Sequence, residues 1–470
     1  MQVSNEGIWD QRILFNKFTI RQVLFVLIIL TAAFLRLYHL EYMEFKGDEA
    51  RNSFKALRFA REGNIPLTAG ISSTGINEPP IFIYLLTIPY LLTSNPIFAA
   101  GFIAILNILG VVLCYHFVKK FYSVRAALIT IALYAVNPWQ VLFSRKIWTQ
   151  NLLPPFILLF LYFIFQAIYN KNKNHIIYAL FVLGILLQLH LSSAYFILLA
   201  IVLIAINHKA IDKKRLVLGI IAFLLTCVPY LIFQIQNNFV DVYTMLEIMK
   251  QESKFHTEVF TIPFQLITTQ GFDYSFGNDI SAFEDTVISI PLLDKFLSLL
   301  LFASFLFIFY KSGKKAIIFC LWLIIGLLYM AVNKVETIYM HYFHSFFPLF
   351  FILIGILISR FYDKIPLYGK YLTDGFIVVV VLYQLSFSIH FLNFIKEKKC
   401  ILGDYGIPYL YRKNEVAKII QPLDISTIQT TIKDIHEKVC QCPKCDFLAT
   451  QFIVKHLRKE YNGWYVPDTP

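Results

Sequence analysis

Ionisable residues able to act together on a substrate fall in a few short stretches of this 470-residue chain. Gly47-Asp48-Glu49-Ala50-Arg51 sets two carboxylates within one helical turn of a guanidinium. Carboxylates can take a proton, and a guanidinium can hold an anion. Asn77-Glu78-Pro79-Pro80 adds a further acid beside a double proline. Ser144-Arg145-Lys146, Leu189-His190-Leu191-Ser192-Ser193 and His341-Tyr342-Phe343-His344 supply cations, imidazoles and a phenol. Near the C-terminus, Cys440, Cys442 and Cys445 cluster after His436, with Cys400 upstream.

The elements that carry these residues are set by hydropathy. With 57% hydrophobic and 15% charged residues, the chain has too little polar surface to enclose a soluble core of this size, so lipid must be its main solvent. The net charge of +12 sits mostly in short gaps between apolar runs, which is the pattern of cytoplasmic loops and not of a nucleic-acid surface. Apolar stretches at 20–40, 96–118, 126–143, 152–169, 216–236, 292–310, 316–332, 344–361 and 374–393 are near spanning length. The run 176–207, with Gln188, His190, Ser192 and Ser193 at its middle, fits two crossings joined by a tight turn. An all-α polytopic membrane protein of about eleven transmembrane helices is expected.

Basic gaps at Lys119-Lys120, Lys171 with Lys173, Lys213-Lys214-Arg215 and Lys314-Lys315 place the N-terminus in the cytoplasm, provided residues 78–92 form an interfacial or re-entrant helix and not a crossing. Loops 41–95 and 237–291 and a small cap of residues 394–470 then lie outside, beyond a transmembrane domain of residues 1–393. The first of these loops is the expected place of chemistry. From Asp48 it reads as an amphipathic helix ended by Gly63-Asn64, with Asp48, Arg51, Lys55, Arg58 and Glu62 on one stripe and Ala50, Phe54 and Leu57 opposite. Such a helix would lie on the outer membrane surface, and its acidic N-terminus is favoured by the helix dipole alone. In an outside cap the four tail cysteines read as disulfides of open connectivity, with zinc as the other reading of the ligand types.

The acidic pair just outside a first span, followed by the acidic-Pro-Pro step, resembles the GT-C integral-membrane glycosyltransferases of the protein O-mannosyltransferase and aminoarabinose-transferase-like superfamily. The basic turn Phe117 to Arg125, the stretch YAVNPWQVLFSRKIW from Tyr134 to Trp148, and His341-Tyr342-Phe343 with Pro348 extend the resemblance over most of residues 30–360. The resemblance implies inverting transfer of a hexosyl or pentosyl group from a polyprenyl-phosphate carrier to a hydroxyl of a protein, lipid or glycan, outside the cell membrane. It makes Asp48 the base and Glu49 its neighbour, orienting acceptor or helix.

Arg51, Arg145 and Lys146 are then candidates for the donor phosphate, although Arg145 and Lys146 also fit snorkelling at a helix end. His190, His341 and Tyr342 are candidates for substrate contact. Glu78 stands where relatives often have Lys or His, so a phosphate role does not carry over there. Some relatives use a divalent cation, for which Glu78 is the residue on offer, but a lone carboxylate is a thin ligand set. Gln150 stands where relatives often have Asp, which takes away one carboxylate that could meet the acceptor. A transporter or flippase of a lipid-linked sugar is the main alternative, and a transferase using a lipid diphosphate is a third reading. A transporter would place polar or broken segments near the midplane in two repeated halves, and neither is evident.

Overall fold

The computed structural model describes residues 12–13, 18–72, 74–170, 172–310, 313–334, 336–421, 432–440 and 445–458. The chain is a nearly all-helical, multi-pass integral membrane protein; its described residues also include two short ribbons, Arg12–Ile13 with Phe18–Thr19 and Lys254–Phe255 with Val332–Asn333. Among the described residues, six segments are long and apolar enough to cross a bilayer. They are α1 (Ile20–Leu37), α4 (Pro96–Phe121), α7 (Leu153–Tyr169) with the 3-10 turn before it, α10 (Lys213–Gln236), α15 (Pro291–Tyr310) and α18 (Leu367–Glu397). Shorter apolar helices lie between them: α5 (Val124–Val136), α6 (Pro138–Phe143), α8 (His175–Leu189), α9 (Tyr195–Ile206), α16 (Ala316–Ala331) and α17 (Phe347–Tyr362). The long apolar run at 176–207 is indeed divided, with the break at His190 and a 3-10 turn over Leu191–Ser193.

Local chemistry explains the ends that matter for the site. Thr19 and Gln22 close a reciprocal capping box at the start of α1. Asn137 ends α5, and its side chain accepts from the Gln140 amide to start α6 with Pro138 in the first turn, so Asn-Pro turns the chain toward Arg145. In the first loop, α2 (Gly47–Glu62) opens with the Lys46 amide donating to Glu49 Oε2 at 2.8 Å and ends at Gly63, whose φ of 73° suits glycine. Helix α3 (Ile81–Leu92) has only 12 residues, roughly 18 Å, against a hydrocarbon core of about 30 Å.

The apolar side of α2 differs from expectation. Ala50, Phe54 and Leu57 are buried in protein instead of lying on lipid. They are covered by α3 and by the tail, which forms α19 (Tyr409–Ile420), α20 (Ile432–Val439) and α21 (Phe447–Arg458). Phe452 of α21 packs against Phe45 at 5.3 Å and Phe54 at 4.8 Å between ring centroids. An apolar helical face reads the same whether lipid or protein will cover it. Cys440 and Cys445 form a disulfide and Cys400 is also disulfide-bonded, while Cys442 lies outside the described residues. The second loop carries α11 (Val240–Lys250) and three short helices, α12 (Ile262–Leu266), α13 (Asp273–Phe276) and α14 (Ile280–Glu284). Asp241 of α11 accepts from both the backbone and side-chain nitrogens of Asn77 at 2.9 Å, tying the second loop to the acidic-Pro-Pro step.

Candidate active site

A cavity of about 500 Å³ lies where α2 meets the second loop and the cap. Asp48, Glu49, Arg51, Glu78, His190, His341 and Tyr342 all line it, so seven of the nine residues singled out in the sequence come together. Arg51 Nη1 donates to Asp48 Oδ1 at 3.0 Å, with the Asp48 side chain 54% exposed. Glu78 is fixed by two backbone bonds, its amide donating to Gly70 O and its carbonyl accepting from the Ala69 amide, each at 2.7 Å. Gly70 lies beside both groups, a Cβ built on it falling 3.5 Å from Arg51 Cδ and 3.9 Å from Glu78 Oε2, so the acid and the guanidinium share one wall. Burial, with Asp48 adding repulsion, pushes the Glu78 carboxyl up to about 7 against the pull of Arg51 and Lys55.

Glu49 is not a free catalytic group. It is fully buried, its Oε2 accepts the Lys46 amide, and its Oε1 lies 3.4 Å from Lys146 Nζ. Burial raises its pKa, with Lys146 opposing and Glu44 adding to the rise. Lys146 also contacts Glu44 Oε1 at 2.7 Å and sits 3.3 Å from the Trp148 ring centroid. Lys46 joins Glu44 at 2.6 Å and Asp404 at 3.0 Å. Burial lowers the Lys46 pKa, but these carboxylates outweigh it and hold the ammonium charged. A compensated ionic layer therefore supports the N-terminus of α2. In this layer the Lys146 ammonium is held by carboxylates and lies off the cavity lining.

Arg145 also lies away from the cavity. Its guanidinium donates to the carbonyls of Leu35, Tyr38 and His39 at 2.7–3.1 Å. These carbonyls lie at and just beyond the C-terminal end of α1, so the Arg145 guanidinium clamps that helix end. Arg145→Ala is accordingly expected to lower the thermal unfolding midpoint through a loss of roughly 3 kcal/mol. The donor KM should stay within about twofold of the parent. A large rise in KM without loss of stability would return Arg145 to the substrate.

The opposite wall is aromatic. His341 packs on Trp148 at 4.8 Å and on Tyr342 at 4.5 Å, and Tyr342 stacks on His190 at 6.0 Å. His190 contacts Gln150 at 3.1 Å, and its Nδ1 accepts from the Ser192 amide. Burial lowers its pKa to about 4, and burial with His190, His344 and Lys146 nearby lowers that of His341, so both rings are neutral at pH 7. Gln150 thus lines the cavity and orients His190.

Lys46, Trp148, Tyr274, Asp404 and Asp446 line the same cavity and were not anticipated in the sequence. Trp148 ends the aromatic stretch already noted, which was its only signal. Asp404 and Asp446 come from the tail, where no periodicity points to α2. A Cβ on Gly47 would displace the Asp446 carboxylate, which sits directly against this glycine. Among the described residues of the cavity, no three carboxylate, imidazole or thiol donors converge on one point. Among the described residues, the one convergent group of three donors is His436 with Cys440 and Cys445, whose sulfurs are joined to each other.

The class follows from this architecture: the chain has a GT-C-type membrane fold with an acid- and cation-lined cavity beneath a C-terminal cap. Residues 77–233 match the family model described as dolichyl-phosphate-mannose-protein mannosyltransferase. The apo structure of Cupriavidus metallidurans ArnT is similar over 93% of this chain and 84% of that one, with a TM-score of 0.58 at 15% identity. Its structure bound to undecaprenyl phosphate gives the same coverage and TM-score at 14% identity. An Archaeoglobus fulgidus oligosaccharyltransferase, solved with zinc and sulfate, aligns at 11% identity over 90% of this chain and 57% of that one, with a TM-score of 0.49. Among curated proteins no significant sequence match is found. The GT-C resemblance read from the motifs is supported by both the family match and the fold.

Proposed function

We propose that this protein is an inverting glycosyltransferase that moves a sugar from a polyprenyl-phosphate carrier to a hydroxyl acceptor on the extracytoplasmic face. The observation that carries this reading is the convergence of Asp48, Arg51 and Glu78 opposite an aromatic wall in one cavity. In the reaction the acceptor oxygen bonds to the anomeric carbon while the bond from that carbon to the phosphate oxygen breaks. Asp48 takes the hydroxyl proton, and the phosphate leaves with the electron pair beside Arg51. Trp148 and Tyr342 offer faces on which a sugar ring can pack. The solved complex of ArnT with undecaprenyl phosphate supports a polyprenyl carrier.

Eleven crossings, with α3 held out of the count, put the basic turns at Lys119-Lys120 and Lys314-Lys315 in the cytoplasm and the cavity and cap outside the cell membrane. Charges gathered at the ends of the bundle, instead of at its midplane, favour an enzyme over a flippase. Purified protein given a panel of hexosyl and pentosyl polyprenyl monophosphates should release polyprenyl phosphate. No release from any of them, with lipid-linked sugar crossing the bilayer of proteoliposomes, would favour the flippase.

Glu78 gives this reading a pH signature. Its carboxyl is neutral below its raised pKa of about 7 and negative above it. The donor phosphodiester keeps a single negative charge throughout this range. Donor KM should therefore rise about tenfold as pH passes upward through 7, because the new charge stands near the phosphate. In Glu78→Gln the profile should flatten. An unchanged pH profile in that variant would remove Glu78 from the donor site.

A further inference from the structure

We propose that the end of the bundle remote from Asp48 holds a binding site for an acidic glycerophospholipid. Tyr115 of α4 packs on Phe25 near the start of α1 at 4.4 Å, so the C-terminal end of α4 lies at the opposite end from the active cavity. There a second cavity of about 830 Å³ is rimmed by Lys314, Lys315, Arg360 and Lys364. Lys315 Nζ donates to Phe121 O at 2.9 Å. Among the described residues, Lys314, Arg360 and Lys364 form no ion pair, and the acids nearby are engaged elsewhere. Asp363 pairs with Arg125, and Asp374 accepts from Tyr362 at 2.8 Å. The Tyr122 hydroxyl, also in this cavity, is buried without a hydrogen-bond partner.

This basic cavity adjoins an apolar one. Phe307 and Phe361 line both, and the second, of about 720 Å³, runs between α15, α17 and α18. Side by side, the two cavities fit one occupant that combines an anionic group with hydrocarbon. A neutral lipid would leave the cations unmatched, and a soluble anion would leave the groove empty. A phosphate headgroup with an acyl chain satisfies both, as basic pockets between transmembrane helices do for acidic lipids.

The test uses the full chain in neutral detergent, with thermal unfolding followed during titration with phosphatidylglycerol, phosphatidylcholine or glycerol 3-phosphate. Phosphatidylglycerol alone should raise the midpoint. In a Lys314→Gln, Arg360→Gln, Lys364→Gln triple variant the apparent affinity should fall about a hundredfold, at roughly 1 kcal/mol per cation. Ala303→Trp, which fills the apolar groove and leaves the cations in place, should also weaken the lipid response. Sugar transfer without added acidic lipid should be unchanged in both. Equal responses to phosphatidylcholine, or a triple variant titrating like the parent, would overturn the proposal. A midpoint shift with glycerol 3-phosphate alone would replace the lipid by a soluble anion. If the triple variant fails to fold, parental affinity in Ala303→Trp overturns the proposal and weakened affinity supports it.

Discussion

Replacing Asp48 by Asn is expected to lower the rate of sugar transfer by about three orders of magnitude, within the range for loss of a general base. The substitution is close to isosteric, and the side-chain oxygen of Asn still accepts from Arg51, which lies 3.0 Å from Asp48 in the parent. With more than half its surface open, Asp48 bears little of the folding energy. Removing its negative charge also relieves repulsion with an incoming phosphate. Donor binding should therefore persist or tighten while turnover collapses, and equilibrium binding beside single-turnover kinetics separates the two. Turnover within about tenfold of the parent would require another base.

Lys146→Met should have a comparably large effect by a different route. It leaves Glu49, at 0% exposure, without its ammonium and beside Glu44, which keeps only Lys46, and it removes the ammonium from the Trp148 ring. Breaking a buried ion pair from one side costs roughly 4 kcal/mol, because the remaining charge is stranded without water. The variant should unfold at a much lower temperature or fail to accumulate. Adding Glu44→Gln should recover part of the loss, since the repulsion between Glu44 and the stranded Glu49 is then gone. A single variant as stable as the parent would show that the ionic layer is not the support of α2.

Several of these features were legible in the residues. The limits of α2 follow from its helical period and Gly63, and the division at His190 follows because a run of that length is too long for one crossing. Arg145 was harder. Its position marks a cation at a helix end, but sequence does not say whose carbonyls it will meet, and those of α1 are more than 100 positions away. The roles of Asp404 and Asp446 were beyond reach for the same reason. Contact between a polar tail and the first loop leaves no periodic trace, and the disulfide-bearing segment could be read only as a cap, not as a wall of the cavity.

The meeting of α21 with α2 also sets an order of maturation. Lys46 and its partner Asp404 are separated by 358 residues, so the first loop leaves the ribosome long before the segment that covers it. During that interval Phe45 and Phe54 lack Phe452, and the ionic layer lacks Asp404. A nascent chain would hold an incomplete pocket until its late helices had been translocated. Until then Phe45 and Phe54 present apolar surface of the kind that makes an incomplete fold prone to aggregation.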